Sequence, residues 1–231
     1  MKKSGDWWVC DEEQNMLKYT EVANRGDLKW QGGFPEYLLK LVSDPKVFVD
    51  IGANYGFVST ALSKVFDIVY AFEVIPKTYD CLVKNCEGYP NIHTYACGLG
   101  HEESTMLAKR RLKTAGHSQI VNDPNEIKLY REKRHHKQHM VELFDIPVKP
   151  LDSFNFERID LLKIDVEGFE EFVLQGAEET LKRCNPVVAL EVTRDKKTNV
   201  IRTKDAVQMM LDLNYKLIDQ RKDDFILIKK D

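Results

Sequence analysis

Three observations predict an α/β fold, a mostly parallel sheet flanked by helices on both faces and closed by an antiparallel hairpin. First, Val47-Phe48-Val49-Asp50-Ile51 runs into Gly52-Ala53-Asn54-Tyr55-Gly56 and then into apolar positions at Phe57, Val58, Ala61, Leu62, Val65 and Phe66, the spacing of strand, tight turn and helix. Second, short apolar runs recur at 68–72, 92–97, 161–166 and 187–192, as in strands covered on both faces. Third, Tyr215–Asp219 and Phe225–Ile228 flank a polar turn, which reads as a hairpin. With 231 residues, 43% hydrophobic and 31% charged, the chain suits one such domain over 1–231.

Taken in order, residues 1–45 read as an N-terminal cap segment. It is polar, with Trp7, Trp8, Tyr19 and Trp30 scattered through it, and it ends in a helix opened by Pro35, faced by Tyr37, Leu38, Leu41 and Val42 and closed by Pro45. The net charge of −3 gives no global reason to expect nucleic acid or a membrane. Lys2 and Lys3 precede Ser-Gly-Asp, and no run approaches the ~18 apolar residues of a membrane span. The cysteines (Cys10, Cys81, Cys86, Cys97, Cys184) are odd in number and lack any C-x-x-C, so neither a disulfide framework nor a zinc knuckle is indicated and a reduced, cytoplasmic protein is expected.

The turn at 50–56 is the expected ligand cradle. Its glycines allow positive φ and a close approach of backbone to ligand, and the helix that follows offers unpaired N–H groups. The order D-x-G-x-N-x-G puts Asn54 where a dinucleotide fingerprint has its middle glycine, and no phosphate-binding lysine follows. A ligand without phosphate fits better, held by Asp50, Gly52, Ala53, Asn54 and Gly56. The run 68–72 ends in Glu73-Val74, about 20 residues past Gly52, where an acid takes ribose hydroxyls in nucleotide-binding folds. Pro76 then opens a helix with Tyr79, Leu82, Val83 and Cys86 on one face and Gly88 as its stop. The run 92–97 ends at Cys97-Gly98, whose backbone is placed for an adenine ring.

Residues 101–140 break the rhythm as a basic insertion: Lys109, Arg110, Arg111, Lys113, Lys128, Arg131, Lys133, Arg134, His135, His136, Lys137 and His139 stand against few acids. A clamp for a polyanion is one reading; a solvated insertion without a core of its own is the favoured one. The surrounding cations oppose a metal at the three histidines. Regular structure is expected to return at Ile146.

The second informative stretch is Ile159-Asp160-Leu161-Leu162-Lys163-Ile164-Asp165-Val166-Glu167-Gly168-Phe169-Glu170. It reads as a buried strand carrying two charges, Lys163 and Asp165, on one face where they can pair. A single amphipathic helix follows, with Phe169, Phe172, Val173, Gly176, Ala177 and Leu181 marking its face. The run 187–192 is a further strand that carries Glu191 near its end, and Thr203 caps a helix stopped by Asn214.

Together V-D-I-G-A-N-Y-G-F, A-F-E-V-I-P, L-D-S-F and I-D-L-L-K-I-D-V-E-G-F-E with L-Q-G-A resemble the FkbM family of S-adenosylmethionine-dependent methyltransferases over about residues 46 to 192. The resemblance implies a Rossmann-like seven-stranded sheet, S-adenosyl-L-methionine at the glycine-rich turn, and methyl transfer to a hydroxyl on a sugar, glycan or secondary metabolite. The chain departs from the pattern in its basic insertion and its aromatic-rich cap.

Ligands in open α/β sheets bind at the carboxyl ends of the strands, which places Asp165, Glu167 and Glu191 on one rim beside Lys163. A sulfonium carries its own leaving group, so the chain's task is to align the acceptor oxygen and remove its proton. Lys163 beside Asp165 weakens that acid as a base, which favours Glu167 for proton removal. Asp165 and Glu191 are also a candidate pair of ligands for Mg²⁺. A nucleic-acid methyltransferase using the basic insertion and a non-catalytic cofactor-binding protein remain the alternatives.

Overall fold

Side chains alternate across a strand with a period of two, and that alternation carries the central strands into two cores at once. In β3 (Val47–Ile51) Phe48 enters one apolar cluster while Val49 and Ile51 enter the other; in β10 (Leu161–Ile164) Leu161 separates from Leu162 and Ile164 in the same way. The structure is a computed structural model that describes all residues except 15–16, 21–23, 113–117, 124, 126, 129–140, 193–203 and 231. The expected Thr203 cap, the side chains of Tyr19 and Trp30, and Lys113, Arg131, Lys133, Arg134, His135, His136, Lys137 and His139 lie outside the described residues.

Seven strands form the main sheet: β3, β4 (Ile68–Phe72), β5 (Ile92–Tyr95), β10, β11 (Val187–Glu191), β12 (Tyr215–Arg221) and β13 (Asp224–Lys229), in the order β12-β13-β11-β10-β3-β4-β5. The pairs from β5 to β11 are parallel, and β13 joins β11 and β12 antiparallel, as the hairpin predicts. The chain moves outward from β3 through β4 to β5 and then returns to β10 on the other side of β3. Loops therefore diverge between β3 and β10, the switch point where open α/β sheets bind ligands.

The N-terminal segment starts as a hairpin, β1 (Lys2–Ser4) with β2 (Trp7–Val9), and packs on the face that holds Phe48. Trp7 is buried, its ring centroid 4.3 Å from that of Phe57. The helix assigned to Trp30–Leu39 contains Pro35 and begins with three left-handed residues, Gln31, Gly32 and Gly33. The expected single helix after β10 is two, Glu170–Gln175 and Glu178–Cys184. They meet at Gly176, where a Cβ would lie 1.9 Å from the Gly100 carbonyl oxygen: a backbone contact fixes the break.

The insertion differs most from its sequence reading. Between β5 and β10 lies a second sheet of four strands, β6 (Gly98–Leu99), β7 (Ser104–Arg111), β8 (Gln119–Val121) and β9 (Val141–Lys149), in the order β6-β9-β7-β8. Regular structure thus begins at Ser104 rather than Ile146. Among the described residues this sheet shares the main core: Leu99, Ala108, Ile120, Ile146 and Val148 join the same cluster as Val49 and Ile51. Its basic run is not all solvated either, since Lys109 and Arg110 are buried. Among the described residues no helix is long and apolar enough to cross a membrane, and the cysteines are free thiols.

Candidate functional site

β3 and β10 pair in register with Lys163 opposite Asp50. Lys163 Nζ donates to Asp165 Oδ2 at 2.9 Å, the pairing expected from their spacing, and lies 3.8 Å from Asp50 Oδ1. Its side chain is 8% exposed. Burial opposes its charge, but the carboxylates of Asp165, Asp50 and Glu191 outweigh burial and hold its pKa above the ordinary lysine value. Asp50 Oδ2 accepts from Ser59 Oγ at 2.6 Å; burial pushes this carboxyl up, against the pull of Lys163 and Ser59.

The glycine-rich turn is pinned to the end of β4. Gly52 and Ala53 N–H groups both donate to the Phe72 carbonyl, at 3.0 and 2.9 Å. Asn54, left-handed at φ +53°, donates its N–H to Glu73 Oε2 at 3.0 Å, and Ile75 N–H donates to Glu73 Oε1 at 2.8 Å. Glu73 is 7% exposed, and burial pushes it up to about 7 although the N–H groups of Ile75, Asn54 and Val74 favour its charge. Its sequence role was ribose binding; here it ties two turns together, and each oxygen keeps a second lone pair.

Both glycines of the turn take the positive φ expected of them, and each also meets a neighbour in the fold. A Cβ on Gly52, at φ +81°, would lie 1.8 Å from the Asp165 carbonyl oxygen, so this glycine lets β3 and β10 close on each other. Gly56, at φ +87°, does not line the cavity described below; its Cβ would meet Leu82 Cδ1 at 2.8 Å. Expected in the ligand cradle, it instead starts the Phe57–Leu62 helix and packs against the Pro76–Cys86 helix.

Past β10 the chain turns sharply, with Glu167 at φ +55° and Gly168 at φ +102°. A left-handed glutamate is uncommon and marks a backbone held by its surroundings. Glu191 ends β11 directly opposite Asp224, the first residue of β13. The charge of Asp165 and then burial push Glu191 up to about 9, with Lys163 opposing. Burial pushes Asp224 up to about 6, again against Lys163.

One cavity of about 220 Å³ gathers these groups at the carboxyl ends of the strands. Apart from Gly56, every residue expected at the site lines it: Asp50, Gly52, Ala53, Asn54, Glu73, Val74, Cys97 and Gly98 along one stretch, Lys163, Asp165, Glu167 and Glu191 along the other. Gln31, Ser118, Gln119 and Ile120 also line it and had no place in the sequence reading. The doubled glycine after Gln31 is a signal that could have found the first; periodicity offers none for the others. Asn54 Oδ1 and Ser118 Oγ are shielded from water without a hydrogen-bond partner among the described residues. Such atoms fit a polar ligand that supplies their partners. Among the described residues no three His, Cys, Asp or Glu side chains are grouped to hold a metal ion, and of the Asp165–Glu191 pair expected to hold one, Asp165 accepts from Lys163.

The family model described as the methyltransferase FkbM domain matches residues 50–217. Methyltransferase 1 of Beauveria bassiana is 28% identical over 149 residues, 59% of this chain and 60% of its own length. Methyltransferase sdnD of Sordaria araneosa is 30% identical over 167 residues, 62% of this chain and 64% of its own. The matched region thus spans about three fifths of each relative. In fold, the chain is similar to the crystal structure of methyltransferase FkbM from Methylobacillus flagellatus KT, with a TM-score of 0.54 at 16% identity over 92% of this chain and 52% of that one. An rRNA methylase from Streptococcus thermophilus gives a TM-score of 0.50 at 15% identity over 85% of this chain and 94% of its own.

Proposed function

The chain belongs to the methyltransferase FkbM domain family, and from that premise we propose that it transfers the methyl group of S-adenosyl-L-methionine to a hydroxyl of a sugar, glycan or other small metabolite. The observation that carries this reading is a cavity lined both by the glycine-rich turn and Glu73 and by the acids at the ends of β10 and β11. The cofactor, when bound, supplies an activated methyl group with a neutral thioether as leaving group. Gly52, Ala53, Asn54, Glu73, Val74, Cys97 and Gly98 would hold it, and Asp50 braces the turn through Ser59 and Lys163.

The acids divide the remaining work by their surroundings. Asp165 is engaged by Lys163, and Glu191, pushed up to about 9, keeps its proton at neutral pH and is a poor base there. Glu167, projected by its left-handed turn, is the group we assign to removing the acceptor proton, a role worth ~10²–10⁴-fold. Lys163 already supplies positive charge among these carboxylates, so the version favoured needs no metal. The burial of Lys109 and Arg110 favours a small acceptor over a nucleic acid.

A test combines radiolabelled methyl donor with a panel of sugars, glycans and phenols, with and without EDTA. Label appearing on a hydroxyl, indifferent to EDTA, is the expected result. Loss of labelling with EDTA and its return with Mg²⁺ would overturn the metal-free version; labelling of RNA or DNA alone would overturn the acceptor class.

A further inference from the structure

The second sheet reaches the cavity through β6 and through the start of β8. Ile120 Cδ1 lies 2.9 Å from the point where Gly98 would carry a Cβ, and Val74 Cγ2 lies 3.3 Å from the same point. Gly98 is thus bare because Ile120 and Val148 of the second sheet and Val74 beyond β4 close over it. Ser118 and Ile120 are two apart in extended chain and so share a face, and both line the cavity. The Ser118 hydroxyl is shielded from water and has no hydrogen-bond partner among the described residues. A hydroxyl left so is costly unless something else satisfies it.

Apolar walls from Val74, Leu99 and Ile120 around one unsatisfied hydroxyl suit a flat heteroaromatic ring, apolar on its faces and polar at its edge. Cys97 and Gly98, at the end of the third strand of the parallel order, border the same corner. We propose that the inserted sheet closes the nucleoside end of the cofactor cavity and that Ser118 hydrogen-bonds the edge of the adenine ring. The inference rests on the cofactor reading above and deepens it. The insertion is then a wall of the cofactor site, and removing it does not leave cofactor affinity intact, contrary to what its charge and lack of apolar periodicity suggest.

The test is calorimetry on the full chain with three probes: S-adenosylhomocysteine, adenosine and L-homocysteine. Ser118→Ala is expected to weaken S-adenosylhomocysteine and adenosine to a similar degree, about three- to ten-fold for one hydrogen bond, and to leave L-homocysteine unchanged. Equal affinity of wild type and Ser118→Ala for S-adenosylhomocysteine overturns the inference while the cofactor reading stands. A loss confined to L-homocysteine also overturns it, by placing Ser118 at the other end of the cofactor. Failure of the wild type to bind S-adenosylhomocysteine overturns the cofactor reading itself, and the inference with it.

Discussion

Arg110 and Lys163 are both buried beside carboxylates, and the balance of charge around them differs. Arg110, fully buried in β7, donates to Glu142 at 2.8 Å and to Glu12 at 3.4 Å, and Lys77 pairs with both of the same acids. Two cations there meet two carboxylates: burial alone would raise Glu142, but Lys77 and Arg110 outweigh it and hold that carboxyl below its ordinary value. Among the described residues Lys163 pairs with Asp165 and lies 3.8 Å from Asp50, Glu191 adds its charge, and Glu191 is pushed up to about 9. The first cluster closes its charge and fastens the N-terminal segment to the inserted sheet. Among the described residues the second holds more carboxylates than cations and lines the cavity, where a proton can be taken up and passed on, as at many functional sites.

The largest expected effect falls on turnover. Glu167→Gln should lower kcat by about 10²–10⁴-fold while calorimetric affinity for S-adenosylhomocysteine holds, because the loss belongs to the transition state. Equal turnover in that variant would move the base elsewhere on the rim. Arg110→Met is the counterpart. It leaves Glu12 and Glu142 facing an apolar side chain, and since those acids keep 38% and 27% exposure, denaturant unfolding should show a loss of about 2–4 kcal/mol, somewhat under that of a fully buried pair. A stability equal to wild type would remove the fastening role.

The same contrast explains what was legible in the sequence. The Lys163–Asp165 pair lies two residues apart on one strand, so local period revealed it; the partners of Arg110 lie 32 and 98 residues away, and no local pattern carries that information. The strands of the main sheet announce themselves as apolar runs because both faces are covered. β7 and β9 pair from Ser104 with Val148 to Arg111 with Val141; Ala108, Ile146 and Val148 enter the common core while Lys109, Arg110 and Arg111 follow in a row, so a composition count reads the stretch as solvated. Glycine in the turn was recognised, but Gly52 answers to a carbonyl of β10's far end and Gly56 to a leucine, contacts that exist only once the sheet is assembled.

A smaller effect tests the tie between the turns. Glu73→Gln keeps one acceptor and turns an amide NH₂ toward a backbone N–H, which should cost about 1–3 kcal/mol at pH 5. Glu73, raised to about 7 in the fold, also contributes stability that is full below the unfolded carboxyl value and lost as pH rises through 7. The variant should therefore flatten the fall of Tm between about pH 4.3 and 7. A wild-type slope retained in the variant would show that another group sets it.

Glu191→Gln gives the smallest change and bears most directly on the idea of excess acid. A carboxyl at about 9 in the fold and about 4.3 in the unfolded chain binds a proton in the native state across the whole interval, so wild-type stability falls as pH rises through it. The amide is neutral at every pH and has no such linkage. The variant should match wild type at pH 4 and exceed it at neutral pH by on the order of 1 kcal/mol, since solvent and the Asp165 coupling share the shift; the gap should widen toward pH 9. Melting curves at several pH values measure it, and parallel curves would mean that Glu191 ionises normally and that the rim carries no stored proton. Turnover separates the roles further. An amide copies a protonated carboxyl in shape and hydrogen bonding, so kcat at pH 7 should fall far less in Glu191→Gln than in Glu167→Gln. The reverse order would make Glu191 the base, with the Lys163 ammonium favouring its ionised form.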